Sequence, residues 1–250
     1  MYIFLQIMKW SIIVLSALYI LFIFLTRPVL DSKSIPQNIQ KSMSPLAGID
    51  VSYYQGTVEW SKVLTDNVHF VYLKATDGIT YTDPMFHENQ KTLMNSKAVY
   101  GAYHFFEPKD SGVKQAENFL TQVQIHKNML PPVLDVEITQ GVAKELLKKH
   151  VREWLETVSK KFDCKPIIYS YSSFYEQNLE TDFVDYPVWI ADYTKKPNIL
   201  KGEPKFIIWQ HTQKGDIVGI NSMVDKNLFF GNYKNLEAIK CKKESEKENE

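Results

Sequence analysis

Three consecutive runs decide the fold: "VYGAYHFF" (residues 99–106), "SGVKQAENFLTQV" (111–123) and "PPVLDVEI" (131–138). The outer two are β-branched and aromatic stretches of strand length, and the middle one carries its apolar residues at helical spacing. Strand, helix, strand is one β-α-β unit. The same punctuation extends both ways. Upstream lie "AGIDVSY", "WSKVLTDN", "HFVYLKAT" and "PMFHENQKTLMNSK". Downstream a long helix is expected with Val142, Leu146, Leu147, Val151, Trp154, Leu155, Val158 and Phe162 on one face. "KPIIYSY" and a short helical piece around "SSFYEQNL" follow, then "YPVWIADY", "KFIIWQHT" and "MVDKNLFF" with only loops between them. Eight candidate strands against about five helices predict an α/β fold, a largely parallel TIM-like barrel with an incomplete outer ring of helices.

The chain has 250 residues, 44% of them hydrophobic, which suits one sizeable core, assigned to residues 47–239. Residues 1–26 read as a membrane-targeting segment, because "WSIIVLSALYILFIFLT" (10–26) is apolar all round and carries no charge. At 1.5 Å rise per residue it just spans a hydrocarbon core of ~30 Å, as an uncleaved anchor or a long signal peptide. Either exports the remainder, anchored to the membrane or secreted. Residues 27–46 form a polar stem with three prolines, and 240–250, "KCKKESEKENE" from Lys240, a charged disordered tail. Lys+Arg and Asp+Glu balance at 29 each, so no nucleic-acid partner is suggested, and a monomer is expected. Cys164 and Cys241 are too few for a disulfide framework or a metal cluster; they either pair in an oxidising compartment or stay free thiols.

Asp135 and Glu137 sit inside an apolar run, where charge is costly unless paired or used. In a strand, residues i and i+2 share a face, with side-chain origins roughly 6.6 Å apart. Both lie towards the strand's C-terminal end, where parallel barrels carry their sites. Asp50, in "AGIDVSYYQG", and Asp192, in "YPVWIADY", occupy similar ends, so four acids are expected to converge on one mouth. Like charges held close keep one member protonated near neutral pH, a ready general acid. Tyr53, Tyr54, Tyr103, Phe105, Phe106, Tyr169, Tyr171, Trp189, Tyr193 and Trp209 gather at the same ends. Their rings suit sugar faces, with about half expected to be ordinary core.

Six ordered motifs then carry a resemblance: "GIDVSYYQG", "FVYLKATDG", "GAYHFFEP", "LDVE", "PVWIADY" and "IIWQHT…VDKNLF" resemble the glycoside hydrolase family 25 lysozymes, the Chalaropsis-type N-acetylmuramidases, from about Gly48 to Phe230. The resemblance implies an incomplete β/α barrel acting on the peptidoglycan glycan strand, at the β-1,4 bond between N-acetylmuramic acid and N-acetylglucosamine. It makes Glu137 the general acid and Asp135 its partner, with Asp50 and Asp192 also in the site; the attack then falls either to the substrate's acetamido group oriented by Asp135 or to water activated by an aspartate, and the first is the one expected here. Tyr103, Tyr54, Asp77, Tyr169, Trp189 and Trp209 are the expected substrate-binding residues. Tyr53 and Tyr54 stand where the family commonly has His-Trp or His-Tyr, Asp77 where it commonly has Glu, and His211 where it commonly has Tyr or Phe.

A lone D-x-E on a strand is as compatible with a salt-bridged pair or a Mg²⁺ site. His69, His104 and His211 lie in strand-like apolar runs and read first as core or rim residues. No His or Cys spacing indicates zinc, so no metal and no cofactor is expected. The Lys-rich face of 144–161 reads as solvated. The competing function is a non-catalytic glycan-binding barrel of the same fold. A phosphoryl-transfer enzyme would need Gly-rich phosphate loops that the sequence lacks.

Overall fold

The computed structural model describes residues 45–124, 126, 129–194 and 206–241. The membrane-targeting run at 10–26, the stem up to residue 44 and the tail from residue 242 lie outside them. Among the described residues no helix is long and apolar enough to cross a membrane.

In the described residues nine strands form one sheet: β1 (Leu46–Val51), β2 (Phe70–Asp77), β3 (Tyr81–Thr82), β4 (Tyr100–Phe105), β5 (Val133–Asp135), β6 (Ile167–Tyr171), β7 (Val188–Ala191), β8 (Phe206–Gly215) and β9 (Val224–Phe229). Their order is β1-β9-β8-β7-β6-β5-β4-β2-β3, and a further β1–β2 pairing closes eight of them into a barrel, with β3 hanging from the end of β2. Among the described residues six helices accompany them: α1 (Trp60–Val63), α2 (Phe86–Met94), α3 (Gly112–Gln122), α4 (Lys144–Phe162), α5 (Ser172–Asn178) and α6 (Tyr233–Ala238). The sixth, whose Asn232 and Asn235 close a reciprocal cap, was not expected from the sequence.

Six neighbouring pairs are parallel, but β9 runs antiparallel to both β8 and β1. The cause is length. A parallel return needs a crossover of a dozen or more residues, whereas β8 and β9 are joined by residues 216–223 alone. The start of β9 therefore lies at the end of the barrel where the other strands finish.

Alternation sorts each strand between two apolar layers. On β2, Phe70 and Tyr72 fill the barrel while Val71 and Leu73 face the helices. Their partners in register on β1 and β4 are Gly48 and Gly101. A Cβ at either would meet the ring of Phe70 at 2.4 Å or of Tyr72 at 2.2 Å, so the glycines make room for the aromatics. On α4, Leu147, Val151, Trp154, Leu155, Val158 and Phe162 are buried as expected, while Leu146 is exposed at the helix start. Each buried side chain contributes roughly 1.5–3 kcal/mol, which seats the helix although Ala143 gives it no side-chain cap. Trp154 packs on Phe119 of α3 and on the ring of His104. His104 is a core residue, its Nε2 donating to Gln115 and its Nδ1 accepting from Thr76, and burial holds its pKa down at about 3.

The cysteines do pair: Cys164, just past α4, is disulfide-bonded to Cys241, beyond α6. The folded unit therefore reaches past residue 239 to a buried Cys241, where a disordered tail had been expected to be under way.

Candidate active site

The upper ends of the strands enclose a cavity of about 160 Å³ lined by Asp50, Asp135, Glu137 and Asp225, with Tyr103, Tyr169 and Trp189 among its walls. Asp50 comes from the end of β1, and Asp135 is the last residue of β5. Glu137 had been expected on the strand, but β5 stops at Asp135 and Glu137 stands on the loop beyond it, with its side chain turned back into the cavity. Asp225 is the acid that sequence reasoning missed. It lies directly across from Asp50 in the β1–β9 register, delivered by the first turn of the antiparallel strand. A search confined to strand C-termini passes over it. The available signal was the alternation in "VDKNLF", which puts Asp225 and Asn227 on one face.

The four acids fall into two pairs. Burial raises the pKa of Asp50 well above the ordinary range, the charge of Asp225 adds to this, and hydrogen bonds from Asn227 and Gln210 oppose it. Burial likewise lifts Asp225 to about 6. Asp135 is raised chiefly by burial and then by the charge of Glu137. Burial raises Glu137 too, while hydrogen bonds from Tyr169 and Asp135 favour its charged form. Each pair thus binds a proton more tightly than isolated carboxyls would.

A chain of donors fixes Asp50. Trp189 Nε1 donates to Asn227 Oδ1 at 3.0 Å, and Asn227 Nδ2 donates to Asp50 Oδ2 at 2.7 Å. From the other side Gln210 Nε2 donates to the same oxygen at 3.0 Å, while Gln210 Oε1 accepts from Tyr169 and Tyr193. Gln210 and Asn227 were also absent from the expected site. By contrast Oδ1 of Asp135 is buried with no hydrogen-bond partner among the described residues. An unsatisfied acceptor beside an open cavity is free to take a donor from a ligand.

A second hollow, of about 390 Å³, adjoins the first through Asp50, Tyr103 and Asp225 and is lined further by Tyr54, Asp77, Lys74 and Phe105. Asp77 is held by Lys74 at 2.8 Å, and the ammonium also lies over the Phe105 ring. Tyr54 is exposed, its ring tilted against that of Tyr53, whose amide donates to the buried Asp83. Of the expected residues, Asp50, Asp135, Glu137, Tyr103, Tyr169 and Trp189 meet in the central cavity and Tyr54 and Asp77 line its neighbour. Asp192 and Trp209 line neither. The Asp192 carboxylate accepts from the backbone and hydroxyl of Thr194, and its carbonyl accepts from Trp209 Nε1 at 2.9 Å, so both brace the turn that follows β7. Among the described residues no three His, Cys, Asp or Glu side chains are grouped to hold a metal ion.

Comparison with known proteins returns the family model described as glycosyl hydrolases family 25, which matches residues 49–220 and so ends short of Asp225. The chain is 38% identical over 218 residues to the uncharacterized protein YegX of Escherichia coli K12, covering 85% of this chain and 78% of that one. It is 31% identical over 186 residues to the autolytic lysozyme of Clostridium acetobutylicum, covering 74% and 56%. Among solved structures, a family 25 glycosyl hydrolase from Bacillus anthracis superposes with a TM-score of 0.73 at 30% identity, covering 79% of this chain and 94% of that one.

Proposed function

The chain belongs to glycosyl hydrolase family 25 and is a glycoside hydrolase of the lysozyme type, and from that premise we propose that it cleaves the peptidoglycan strand between N-acetylmuramic acid and N-acetylglucosamine, with Glu137 as general acid and Asp135 assisting. The observation that carries this reading is the buried Asp135–Glu137 pair sharing the wall of one cavity, both with raised proton affinity.

Asp135 has the more strongly raised proton affinity of the two, and its hydrogen bond favours a charged Glu137. Substrate reverses that balance. An acetamido N–H donated to the unpartnered Asp135 Oδ1 favours the ionised aspartate and sends the proton to Glu137. Glu137 then protonates the leaving oxygen while the oriented acetamido oxygen attacks the anomeric carbon, and water completes hydrolysis with Glu137 acting as base. Asp50 and Asp225 add negative charge near the oxocarbenium-like centre. Asp192, expected among the central acids, is given no step in this scheme; its carboxylate accepts from Thr194.

The test is clearing of a peptidoglycan suspension by wild type beside Glu137→Gln, with mass spectrometry of the fragments. Loss of one general acid is expected to lower turnover by about 10²–10⁴-fold, with wall binding retained and muramic acid at the new reducing ends. Equal, near-zero clearing by both proteins with retained binding would identify a glycan-binding barrel, and reducing-end glucosamine would reverse the bond assignment. Release of the α anomer, read by NMR, would reject acetamido assistance.

We also infer that the barrel works outside the cytoplasm. The Cys164–Cys241 disulfide supports this, since such bonds persist in oxidising compartments, and it agrees with the targeting segment expected at residues 1–26.

A further inference from the structure

The proton donor Glu137 opens the segment that joins β5 to α4, and that segment is held at its two ends. On the β5 side Val136 N–H donates to the Tyr169 carbonyl at 3.0 Å, and the Val136 carbonyl accepts from Ser170 at 2.7 Å. On the other side α4 begins at Lys144. Between them the chain bonds to itself, Val142 N–H to the Thr139 carbonyl and Gly141 N–H to the Thr139 hydroxyl. Among the described residues, one hydrogen bond ties residues 138–143 to an element other than α4: Gln140 Nε2 donates to Glu107 Oε2, on the loop after β4. Gln140 also has a φ of 49°, in the left-handed region, which is unfavourable for a residue with a Cβ and persists where the surroundings hold it.

Glu107 is firmly seated. Its N–H donates to Gln115 Oε1 at 2.8 Å and its carbonyl accepts from Gln115 Nε2 at 2.9 Å, so the buried amide of Gln115 grips it on both sides. Gln115 is bonded in turn to His104 and His104 to Thr76, which carries the support back to β4 and β2. The stem of Glu107 lies against the turn after β2, where a Cβ at Gly78 would meet its Cγ at 3.3 Å. Burial and the charge of Asp77 raise the Glu107 pKa, and the bond from Gln140 opposes them, as a donor to an ionised acceptor does. The preceding residue acts on the other acid, since Phe106 N–H donates to the Asp135 carbonyl at 2.9 Å. Two consecutive residues after β4 thus hold the backbone of Asp135 and the loop of Glu137.

We propose that Glu107 and Gln140 form a latch between the loops after β4 and β5, and that Glu107 is a positioning residue that sets the Glu137 carboxyl in place beside Asp135. The inference rests on the hydrolase reading above and deepens it. Neither side chain of the latch lines the central cavity, so its effect passes through Glu137. A general acid must lie within about 2.6–3.2 Å of the oxygen it protonates, and a displacement of about 1 Å costs about 10²-fold in rate. With the latch open the turn at Gln140 loses its anchor. Substrate still binds, but the proton is delivered from a poorly placed carboxyl.

The test measures kcat and KM on a soluble muramic acid-containing tetrasaccharide, with urea midpoints taken on the same proteins. Gln140→Gly removes one half of the latch without straining the turn, because glycine accepts the left-handed backbone; Glu107→Ala removes the other half. Each is expected to lower kcat about tenfold with KM within about twofold of wild type, and the double variant to be no slower than the slower single. Glu107→Gln keeps an acceptor for Gln140 without the charge, and should recover kcat to within about threefold of wild type. A purely structural role would lower the urea midpoint and leave kcat unchanged. That result, losses that multiply in the double variant, a raised KM at unchanged kcat, or a Glu107→Gln variant as slow as Glu107→Ala would each overturn the latch while leaving the hydrolase reading intact. A wild type that cleaves no glycan would overturn both.

Discussion

Replacing Asp225 with asparagine is expected to stabilise the fold at neutral pH while it disables the site. Burial lifts the carboxyl from 3.8 to about 6 in the folded chain. Between those values the native state holds a proton that the unfolded chain has released, so stability from this group is present at acid pH and lost as pH rises through about 6. At about 1.36 kcal/mol per pH unit, the penalty at pH 8 is about 3 kcal/mol before screening, and about 1–2 kcal/mol after discounting for solvent around a half-buried carboxylate. Asparagine has the same shape, is neutral at every pH, and removes the charge that raises Asp50. Urea denaturation of wild type and variant at pH 4 and pH 8, with the disulfide intact, measures the effect. The variant should be more stable by about 1–2 kcal/mol at pH 8, or about 2–8 °C in Tm for a domain of this size, and should lie within about half a kcal/mol of wild type at pH 4. A variant no more stable than wild type at pH 8, or equally advantaged at both pH values, would refute the argument that proton retention by Asp225 reflects unfavourable burial of its charge.

Gln210→Ala is expected to lower kcat tenfold or more with little change in KM, because it frees Asp50, Tyr169 and Tyr193 at once; losing a donor to Asp50 should also move the acidic limb of the kcat profile to higher pH. Replacing Cys164 and Cys241 by serine opens a cross-link between residues 77 apart and should cost about 2–4 kcal/mol in urea denaturation; an unchanged midpoint would show that the link constrains nothing. His104 is held neutral down to about pH 3 by burial, so the folded state resists a proton that the unfolded chain accepts below about 6.5, and stability from this group is lost as pH falls across that window. His104→Gln should therefore flatten the acid side of the stability profile, and an unaltered slope would count against it.

Much of the fold was legible because each barrel strand carries its own signature. "FVYLKAT" alternates rings with aliphatics, and the long amphipathic helix marks the outer layer. What sequence could not give was direction. Nothing in "MVDKNLFF" distinguishes an antiparallel strand from a parallel one except the shortness of the connection before it. The site shows the same division. Asp50, Asp135 and Glu137 follow from strand ends in the parallel part of the barrel and meet in the cavity. Asp192 obeys the same local rule, yet its carboxylate accepts from the backbone and hydroxyl of Thr194, which periodicity does not show. Asp225 breaks the rule because its strand is reversed. The pairing of Cys164 and Cys241 depends on the segments after α4 and α6 meeting in space, which spacing alone leaves open.

The reversed strand also explains how four acids can share so small a space. A parallel eighth strand would bring its last residues to the mouth, here Leu228 and Phe229, and would bury Asp225 at the opposite end of the barrel. Reversal exchanges them: Phe229 packs with Phe70 at the closed end, while Asp225 and Asn227 rise beside Asp50. Asn227 then donates to Asp50 and favours its ionised form, against the burial and the charge of Asp225 that raise its proton affinity. The residues that make the site chemically capable are therefore delivered by the same short β8–β9 connection that spares the barrel another outer helix. Lengthening residues 216–223 by a flexible insertion should accordingly impair turnover more than it impairs folding, since loop closure costs only about 0.6 kcal/mol per doubling whereas the Asp50–Asp225 register must hold for the acids to pair. Parallel measurements of kcat and urea midpoint on such an insertion variant would test this, and a loss of stability with undiminished kcat would contradict it.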